Sequence, residues 1–416
     1  MHNGVMVDSL PAVPDGVAVA DLRSASHWRA MQAATAQFSA PLVSLSLDAV
    51  AANAASLRKR AAGRPIRVAT KSIRIRDVLR ILDRESWTQG LLAFSLAEAI
   101  WLSDEFADIL VAYPQTDRDA YRALADDERA ASRVTVMIDS VEQLDFIDAA
   151  VDPADRPDIR VAIDLDASWR GPLGHVGVFR SPVHGPQQAR LLAESIVARD
   201  GFRLVGLMSY EAQIAGVGDS PSNPVYGKLL RRVQARSVHE LAERRAEAVQ
   251  LVREVADLEF VNGGGTGSLE STSLEDVVTD IAAGSGLFGP HLFDHYTKFT
   301  PAPAIGFALD VVRKPSSDIV TCFGGGWIAS GPAARDRLPE PVYPAGLQYL
   351  PREGAGEVQT PLRGPAAAAL QVGDRVWFRP TKSGEACEHA NRVHTVAGGE
   401  WSGDMLTYRG EGKVFV

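Results

Sequence analysis

The sequence predicts a parallel (β/α)8 barrel, a TIM barrel, followed by a C-terminal β domain. Two observations support this prediction. Between Pro41 and Gly289, eight short apolar runs alternate with longer amphipathic stretches rich in Ala, Leu, Arg and Glu, which is the pattern of parallel strands connected by helices. After Gly289 the helical period disappears, prolines and glycines become more frequent, and short β-rich segments follow one another, as expected for a separate β structure.

The predicted barrel strands are four to six residues long and consist mostly of apolar residues. They are 42–47, 66–69, 91–94, 109–113, 134–138, 160–165, 204–208 and 258–261. Helices are predicted between them at 48–62, 75–83, 96–103, 141–150, 187–198 and 228–255. In such barrels the functional side chains collect at the carboxyl ends of the strands.

The division of the chain follows from these patterns. Residues 1–40 form a lead-in segment with mixed signals, 41–300 form the barrel, and 301–416 form the β domain. Within the β domain, short strands are predicted at 311–312, 319–323, 376–378 and 413–416.

Composition excludes several classes of function. The 416 residues carry a net charge of −9, with lysines and arginines scattered along the chain, so the chain has no basic patch for nucleic acid or an anionic membrane. Two cysteines, Cys322 and Cys387, are too few for a disulfide framework and are typical of a reducing compartment. No apolar run reaches the ~18 residues of a membrane span, and no signal peptide is evident. We therefore expect a cytoplasmic protein whose main partners are neither nucleic acid nor a membrane.

Lys71 is the first candidate for chemistry. It follows the β-branched run at 66–69 and precedes a helical segment. A lysine at the end of a barrel strand among apolar neighbours has the setting that lowers an amine pKa and allows a Schiff base. Most lysines that follow a strand are simply solvated, so the rest of the chain must decide between the two.

Two glycine-rich turns supply the second signal. Asn262-Gly-Gly-Gly-Thr-Gly-Ser268 follows the predicted eighth strand, and Ala283-Gly-Ser-Gly286 lies shortly after it. Consecutive glycines let backbone N–H groups converge on an anion, and hydroxyl groups such as those of Thr266 and Ser268 add donors. This end of a barrel is where phosphate groups are usually bound.

Several segments together resemble the D-threonine aldolase and D-serine dehydratase family of alanine-racemase-like, fold-type III enzymes. The segments are Lys71 after its strand, Ala97-Glu-Ala, Ile109-Leu-Val-Ala-Tyr-Pro114, Gly206-Leu-Met-Ser-Tyr-Glu211, Gly263-Gly-Gly-Thr-Gly and Gly373-Asp-Arg-Val. The resemblance spans roughly residues 40–400. It implies a barrel with a C-terminal β domain, a homodimer, and pyridoxal 5′-phosphate attached to Lys71 as a Schiff base.

The resemblance also implies roles for further residues. The cofactor phosphate would be held by Gly264, Gly265, Thr266, Gly284 and Ser285.

Other family positions lie near the cofactor ring. Tyr210 resembles the tyrosine next to the ring, and Arg170 resembles the arginine that contacts the cofactor. The family segment Arg-Thr-Gly-Val also aligns with 175–178, so the position of that arginine stays open. Arg180 is either a surface residue or a group that binds the substrate carboxylate.

A divalent metal is a further family feature, held by a histidine and, two residues later, a cysteine or aspartate. Here the aligned residues are Glu385 and Cys387, so glutamate stands where the family has histidine. Zinc, manganese or magnesium would be held by Glu385 with Cys387, which share one face if the segment is a strand, or by Cys387 with His389. The alternative is a buried thiol beside a surface histidine. His389 is also the candidate general base, with His394 as a second.

The resemblance favours a pyridoxal-phosphate-dependent lyase on D-configured β-hydroxy-α-amino acids, with retro-aldol cleavage to glycine and an aldehyde. Elimination to an oxo acid and ammonia is the alternative. Racemisation needs a second base, for which Tyr343 and Tyr349 are available. A non-enzymatic pyridoxal-phosphate-binding protein is a further alternative, disfavoured by the residues after the barrel.

Overall fold

The computed structural model describes residues 9–12, 18–171 and 174–415, and these form two compact units. The barrel unit comprises Leu57–Thr70 and Asp83–Gly284 with Phe415. The sheet unit comprises the described residues up to Ser56, Lys71–Leu82 and Ser285–Val414. Within the described ranges, no helix has the length and apolar character needed to cross a membrane.

The regular elements are numbered in chain order. The strands are β1 (Leu42–Ser46), β2 (Ile66–Ala69), β3 (Thr88–Ala93), β4 (Ile109–Val111), β5 (Val134–Ile138), β6 (Ile159–Asp164), β7 (Trp169–Gly171), β8 (Gly174–Val176), β9 (Phe202–Ser209), β10 (Phe260–Gly263), β11 (Asp280–Ala283), β12 (Ile305–Ser316), β13 (Ile319–Phe323), β14 (Glu340–Tyr343), β15 (Gln348–Tyr349), β16 (Gln359–Arg363), β17 (Arg375–Arg379), β18 (Arg392–Ala397) and β19 (Glu400–Leu406). The α-helices are α1 (Ala25–Ala34), α2 (Leu47–Arg60), α3 (Arg76–Asp83), α4 (Leu96–Leu102), α5 (Arg118–Ala125), α6 (Glu128–Arg133), α7 (Val141–Ala150), α8 (Pro186–Val197), α9 (Ala212–Ala215), α10 (Pro224–Arg253), α11 (Leu269–Thr272) and α12 (Ser285–Phe288).

Eight parallel strands close into a barrel in the order β10-β11-β2-β3-β4-β5-β6-β9. Apolar side chains fill its interior. Strands of a parallel sheet are buried on both faces, and their sequences are therefore nearly continuous apolar runs. The interior cluster consists of Ala69, Leu92, Leu110, Ala112, Met137, Ala162, Val205, Met208, Phe260 and Ala282. The fold class predicted from the sequence, a TIM barrel with an additional β structure, is confirmed.

Several helices of the barrel unit begin at a side chain that accepts a backbone N–H. Ser95 caps α4, Asp117 caps α5 and Asp127 caps α6. Such a cap satisfies one of the backbone donors that a helix leaves unpaired at its start. The short polar residues between apolar runs therefore set where the helices begin, and α7 has the bounds that periodicity predicts.

The predicted membership of the barrel is wrong at both ends. β1 does not join the barrel: it pairs antiparallel with β12 and parallel with β18 in the sheet unit. The eighth barrel strand is β11, which the sequence did not predict because it is short and begins with a charged residue. That residue, Asp280, is fully buried and forms an ion pair of 3.0 Å with the fully buried Arg67 of β2.

This correction renumbers the barrel. β2, which precedes Lys71, is its first strand, and the glycine turn Asn262–Ser268 follows the seventh strand, β10. Gly284 and Ser285 follow the eighth strand. All three sites still follow the carboxyl ends of parallel strands, where the sequence argument places chemistry.

The sheet unit contains a nine-stranded sheet. Its main order is β15-β16-β13-β12-β1-β18-β19, and β17 pairs with β12 and β14. Helix α1 packs on it through Trp28 and Met31, which belong to one buried cluster with Trp377. The predicted strand at 413–416 is wrong for Lys413–Phe415, which form no strand, while residue 416 lies outside the described residues.

Candidate active site

Lys71 lies in the one-turn 3₁₀ helix Thr70–Ser72 directly after β2. Its side chain is exposed, so the apolar surroundings expected from the sequence are wrong. Its apolar neighbours Ile73 and Ile75, in contrast, are fully buried.

The backbone around Lys71 is held by two other segments of the sheet unit. The hydroxyl of Ser72 lies 2.8 Å from that of Ser285, and Ser383 donates a hydrogen bond of 2.8 Å to the carbonyl oxygen of Ser72. A Cβ on Gly384 would lie 1.8 Å from the carbonyl oxygen of Lys71, so only glycine fits at that close approach. The predicted anchor is therefore fixed beside the predicted phosphate-binding Ser285.

The glycine turn of the barrel unit has no room for a side chain at two of its positions. Gly264 has a φ of +81° and a Cβ there would lie 2.5 Å from Ile281. A Cβ on Gly265 would lie 2.8 Å from Ala215 and 3.1 Å from the ring of Tyr210. The turn thus lies close to the predicted ring-contacting tyrosine, and Thr266 within it is buried.

Two glycine N–H groups of this turn donate hydrogen bonds to other side chains of the protein. Gly264 donates to the carboxylate of Glu211 at 2.9 Å, and Gly265 donates to the hydroxyl of Ser268 at 3.1 Å. These hydrogen bonds shape the turn, and phosphate binding by Gly264, Gly265 and Thr266 stays a prediction. Sequence reasoning did not single out Glu211, although it directly follows Tyr210 after β9.

An arginine and two tyrosines meet at the carboxyl ends of the strands in the barrel unit. The Arg180 guanidinium lies 5.6 Å from the ring centre of Tyr210 and 5.7 Å from that of Tyr113, which are cation–π distances. Burial raises the pKa of Tyr210 to about 12, so its phenol stays protonated at neutral pH. The Arg180 loop is fixed by Ser181, which donates to the backbone oxygen of Asp164 at 2.6 Å.

Two carboxyl groups at the carboxyl ends of adjacent strands were missed by sequence reasoning. Asp164 ends β6 and Asp139 directly follows β5, and the register pairs Ile138 with Ile163. Burial and the nearby Asp139 raise the pKa of Asp164 to about 7, although Arg180 opposes the shift. Burial also raises the pKa of Asp139. Their position at the ends of adjacent predicted strands was the available signal.

Arg170 lies on β7, in the hairpin with β8, opposite His175. Its side chain is 54% exposed and lies 3.3 Å from Asp166. Asp166 is buried and also accepts hydrogen bonds from Ser168. The two alignments left open by the sequence thus place their residue on facing strands of one hairpin, and cofactor contact by Arg170 stays a prediction.

The residues of the predicted metal site do not fit a metal centre. Glu385 and Cys387 lie on the 3₁₀ helix Gly384–Glu388, not on a strand, so the argument that they share one face is wrong. Three residues per turn place i and i+2 on different sides of such a helix. Among the described residues, no group of three His, Cys, Asp or Glu side chains is placed to hold a metal ion.

The contacts of these three residues do not group them around a metal. Glu385 accepts the backbone N–H of Ser330 at 3.3 Å, and the ring of His389 stacks on that of Trp327 at 4.7 Å. Cys387 is 1% exposed and burial raises its pKa to about 12, whereas metals bind the thiolate. We therefore derive no step through a metal.

Three further candidates also have structural partners. His394 lies in β18, 2.7 Å from Asp404 and stacked on Phe38. The hydroxyl of Tyr349 donates to the carbonyl oxygen of Pro339 at 2.7 Å, and burial raises its pKa. Tyr343 packs against the core cluster around Trp377. Tyr349 is thus held by a hydrogen bond and Tyr343 by packing, and racemisation stays the alternative that needs a second base.

Comparisons with known proteins agree with this geometry. Residues 45–289 match the model of the alanine racemase N-terminal domain family. No curated protein sequence matches the chain.

D-Threonine aldolase from Filomicrobium marinum is 18% identical with a TM-score of 0.74, and the match covers 91% of this chain and 96% of that one. D-threo-3-Hydroxyaspartate dehydratase from Delftia sp. HT23 is 18% identical with a TM-score of 0.70, covering 89% and 98%. Alanine racemase from Clostridium difficile 630 is 14% identical with a TM-score of 0.61, covering 88% and 99%.

Proposed function

The chain belongs to the alanine racemase N-terminal domain family, and on that basis we propose that it is a pyridoxal-phosphate-dependent lyase of D-configured β-hydroxy-α-amino acids. Retro-aldol cleavage to glycine and an aldehyde is the proposed reaction. The fold likeness to D-threonine aldolase supports this choice.

One observation carries the proposal. Three neighbouring strands of the barrel, β10, β11 and β2, lead at their carboxyl ends into the glycine turn, into Gly284 with Ser285, and into Lys71. Backbone turns without side chains and hydroxyl groups suit a phosphate group, and a lysine suits a cofactor aldehyde. The residues present therefore fit pyridoxal 5′-phosphate.

The roles of the residues follow from their chemistry. Thr266 and Ser285 would bind the phosphate through their hydroxyl groups, and Tyr210 would bound the cofactor ring. When bound, pyridoxal phosphate withdraws the electrons left when a bond to Cα breaks. Lys71 would hold the cofactor and move the proton at Cα. Arg180 would bind the substrate carboxylate, because its guanidinium is exposed and is held over two tyrosine rings.

Chemistry at Cβ needs one further group. In the aldol cleavage a base must remove the proton of the β-hydroxyl oxygen. His389 is the proposed base, because it is exposed and its ring is fixed against Trp327.

Elimination is the second candidate, supported by the fold likeness to D-threo-3-hydroxyaspartate dehydratase. Both reactions break a bond to Cα. They differ in whether the β-hydroxyl group is deprotonated or lost.

A substrate panel tests the proposal. Purified protein with added pyridoxal phosphate is incubated with D- and L-enantiomers of threonine, serine and 3-hydroxyaspartate, and aldehyde, oxo acid and inverted enantiomer are measured. We expect aldehyde and glycine from a D-substrate. Oxo acid alone would replace the aldolase by the dehydratase, and an inverted enantiomer alone would contradict both. The predicted homodimer is tested on the same sample by its mass in solution.

A further inference from the structure

We propose that Glu211 is the positioning residue of the glycine turn: its buried carboxylate fixes the backbone on which the cofactor phosphate binds. This inference rests on the proposed function, and it assigns a residue that would contact neither cofactor nor substrate. All the contacts that support it lie within the barrel unit.

Glu211 is 1% exposed, and its two carboxylate oxygens are fully used. One oxygen accepts the N–H of Gly264 at 2.9 Å and a guanidinium hydrogen of Arg245 at 3.1 Å. The other accepts the hydroxyl groups of Ser268, at 3.1 Å, and Thr272. One side chain thus holds Gly264 within the turn, the last residue of the turn, Ser268, and helix α11 through Thr272.

The location of Glu211 links this turn to the cofactor ring. Glu211 directly follows Tyr210, and the ring of Tyr210 would lie 3.1 Å from a Cβ on Gly265. The residue predicted to contact the cofactor ring and the turn predicted to contact its phosphate are therefore connected through one carboxylate. A shift of that carboxylate would move both.

Arg245 pairs with the Glu211 carboxylate in the interior, at 3.1 Å. A buried charge is costly unless it is paired and hydrogen-bonded. Arg245 is fully buried, and it also donates to Glu275 at 2.6 Å and to the hydroxyl of Ser209 at 2.8 Å. The two glutamates therefore share one arginine.

Glu275 differs from Glu211 in one respect that makes it a matched control. Its side chain contacts Arg245 but makes no hydrogen bond to the turn among the described residues. Its Oε2 atom is buried without a hydrogen-bond partner in that part of the chain. Burial raises the Glu275 pKa, and the charge of Glu211 adds to the shift although Arg245 opposes it. Neutralising Glu275 thus removes one partner of Arg245 and leaves the turn untouched.

The experiment compares Glu211→Gln with Glu275→Gln in the full-length protein. Pyridoxal phosphate is titrated into cofactor-depleted protein by absorbance, and melting temperatures are recorded with and without cofactor. We expect Glu211→Gln to raise the dissociation constant of the cofactor about tenfold, because a charged acceptor of a buried N–H is lost. Glu275→Gln should leave that constant within about twofold, although both variants lower the melting temperature without cofactor.

Two outcomes overturn the inference. If wild type binds the cofactor and both variants bind it as tightly as wild type does, Glu211 has only a structural role. If Glu211→Gln does not fold, Thr272→Val removes a single hydroxyl donor from the carboxylate, and an unchanged dissociation constant in that variant also refutes the positioning role. A wild-type protein that binds no pyridoxal phosphate overturns the proposed function as well, so the two failures are distinguishable.

Discussion

Replacing Asp164 by asparagine should stabilise the protein at alkaline pH. The carboxyl group ends β6, lies near Asp139, and has its pKa raised from 3.8 to about 7 by burial and by that neighbour. A raised carboxyl pKa means that the folded protein holds a proton that the unfolded chain has lost. Between about pH 4 and pH 7 the free energy of unfolding therefore falls as pH rises. Because asparagine cannot ionise, the Asp164→Asn variant does not lose this free energy of unfolding as pH rises.

The size of the effect follows from the same pKa values. The difference between 3.8 and about 7 amounts to about 4 kcal/mol when the folded group is fully ionised, at about 1.4 kcal/mol per pKa unit. At pH 5 part of this cost is already present, because the unfolded carboxyl group is ionised there. The stability difference between Asp164→Asn and wild type should thus widen by roughly 2–3 kcal/mol between pH 5 and pH 8.

Denaturant unfolding at pH 5 and pH 8 measures this difference, with Asp166→Asn as the control. Asp166 lies two residues away, and hydrogen bonds from Ser168 and His184 outweigh burial and lower its pKa. It is ionised at both pH values, so Asp166→Asn should destabilise the protein at both. A stability difference for Asp164→Asn that does not change with pH, or that shrinks from pH 5 to pH 8, would refute the raised pKa of Asp164.

Three further predictions concern the site. Thr266→Ala should weaken retention of pyridoxal phosphate by about tenfold to a hundredfold, because a hydroxyl donor to a phosphate contributes about 1.5–3 kcal/mol; unchanged retention in dialysis would reduce the glycine run to a simple turn. Arg180→Gln should raise the KM for the amino acid at least about tenfold with cofactor affinity unchanged, and equal KM values in steady-state kinetics would remove Arg180 from the substrate site. Elemental analysis should find far less than one divalent metal per chain, since Glu385 and Cys387 lie on a 3₁₀ helix, and one tightly bound equivalent whose removal by chelator stops turnover would contradict that geometry.

The sequence was sufficient for the fold class because alternating strands and helices leave a strong periodic signal. It was insufficient for strand membership. An apolar run such as β1 shows that a strand is buried but not in which sheet, and its partners β12 and β18 lie about 260 and 350 residues away. β11 was missed because Asp280 interrupts the apolar pattern, and its charge is compensated by Arg67 in the folded barrel.

The candidate site divides in the same way. Lys71 and the glycine turn carry local signals, a lysine after a strand and consecutive glycines, and both lie at strand ends. Glu211 and Asp164 depend on partners far along the chain or on an adjacent strand, so neither has a local motif. The strand-face argument for Glu385 and Cys387 was wrong at the backbone: alternate spacing suggests a strand face, whereas the segment forms a 3₁₀ helix.

Identification of the lysine that carries the cofactor tests the central claim most directly. The protein is incubated with pyridoxal 5′-phosphate, reduced with sodium borohydride, digested and mapped by mass spectrometry over its seven lysines. We predict that the pyridoxyl group is found on Lys71, at one per chain, and that Lys71→Ala abolishes the labelling. A label on another lysine, or none on the Lys71 peptide, would contradict the assignment.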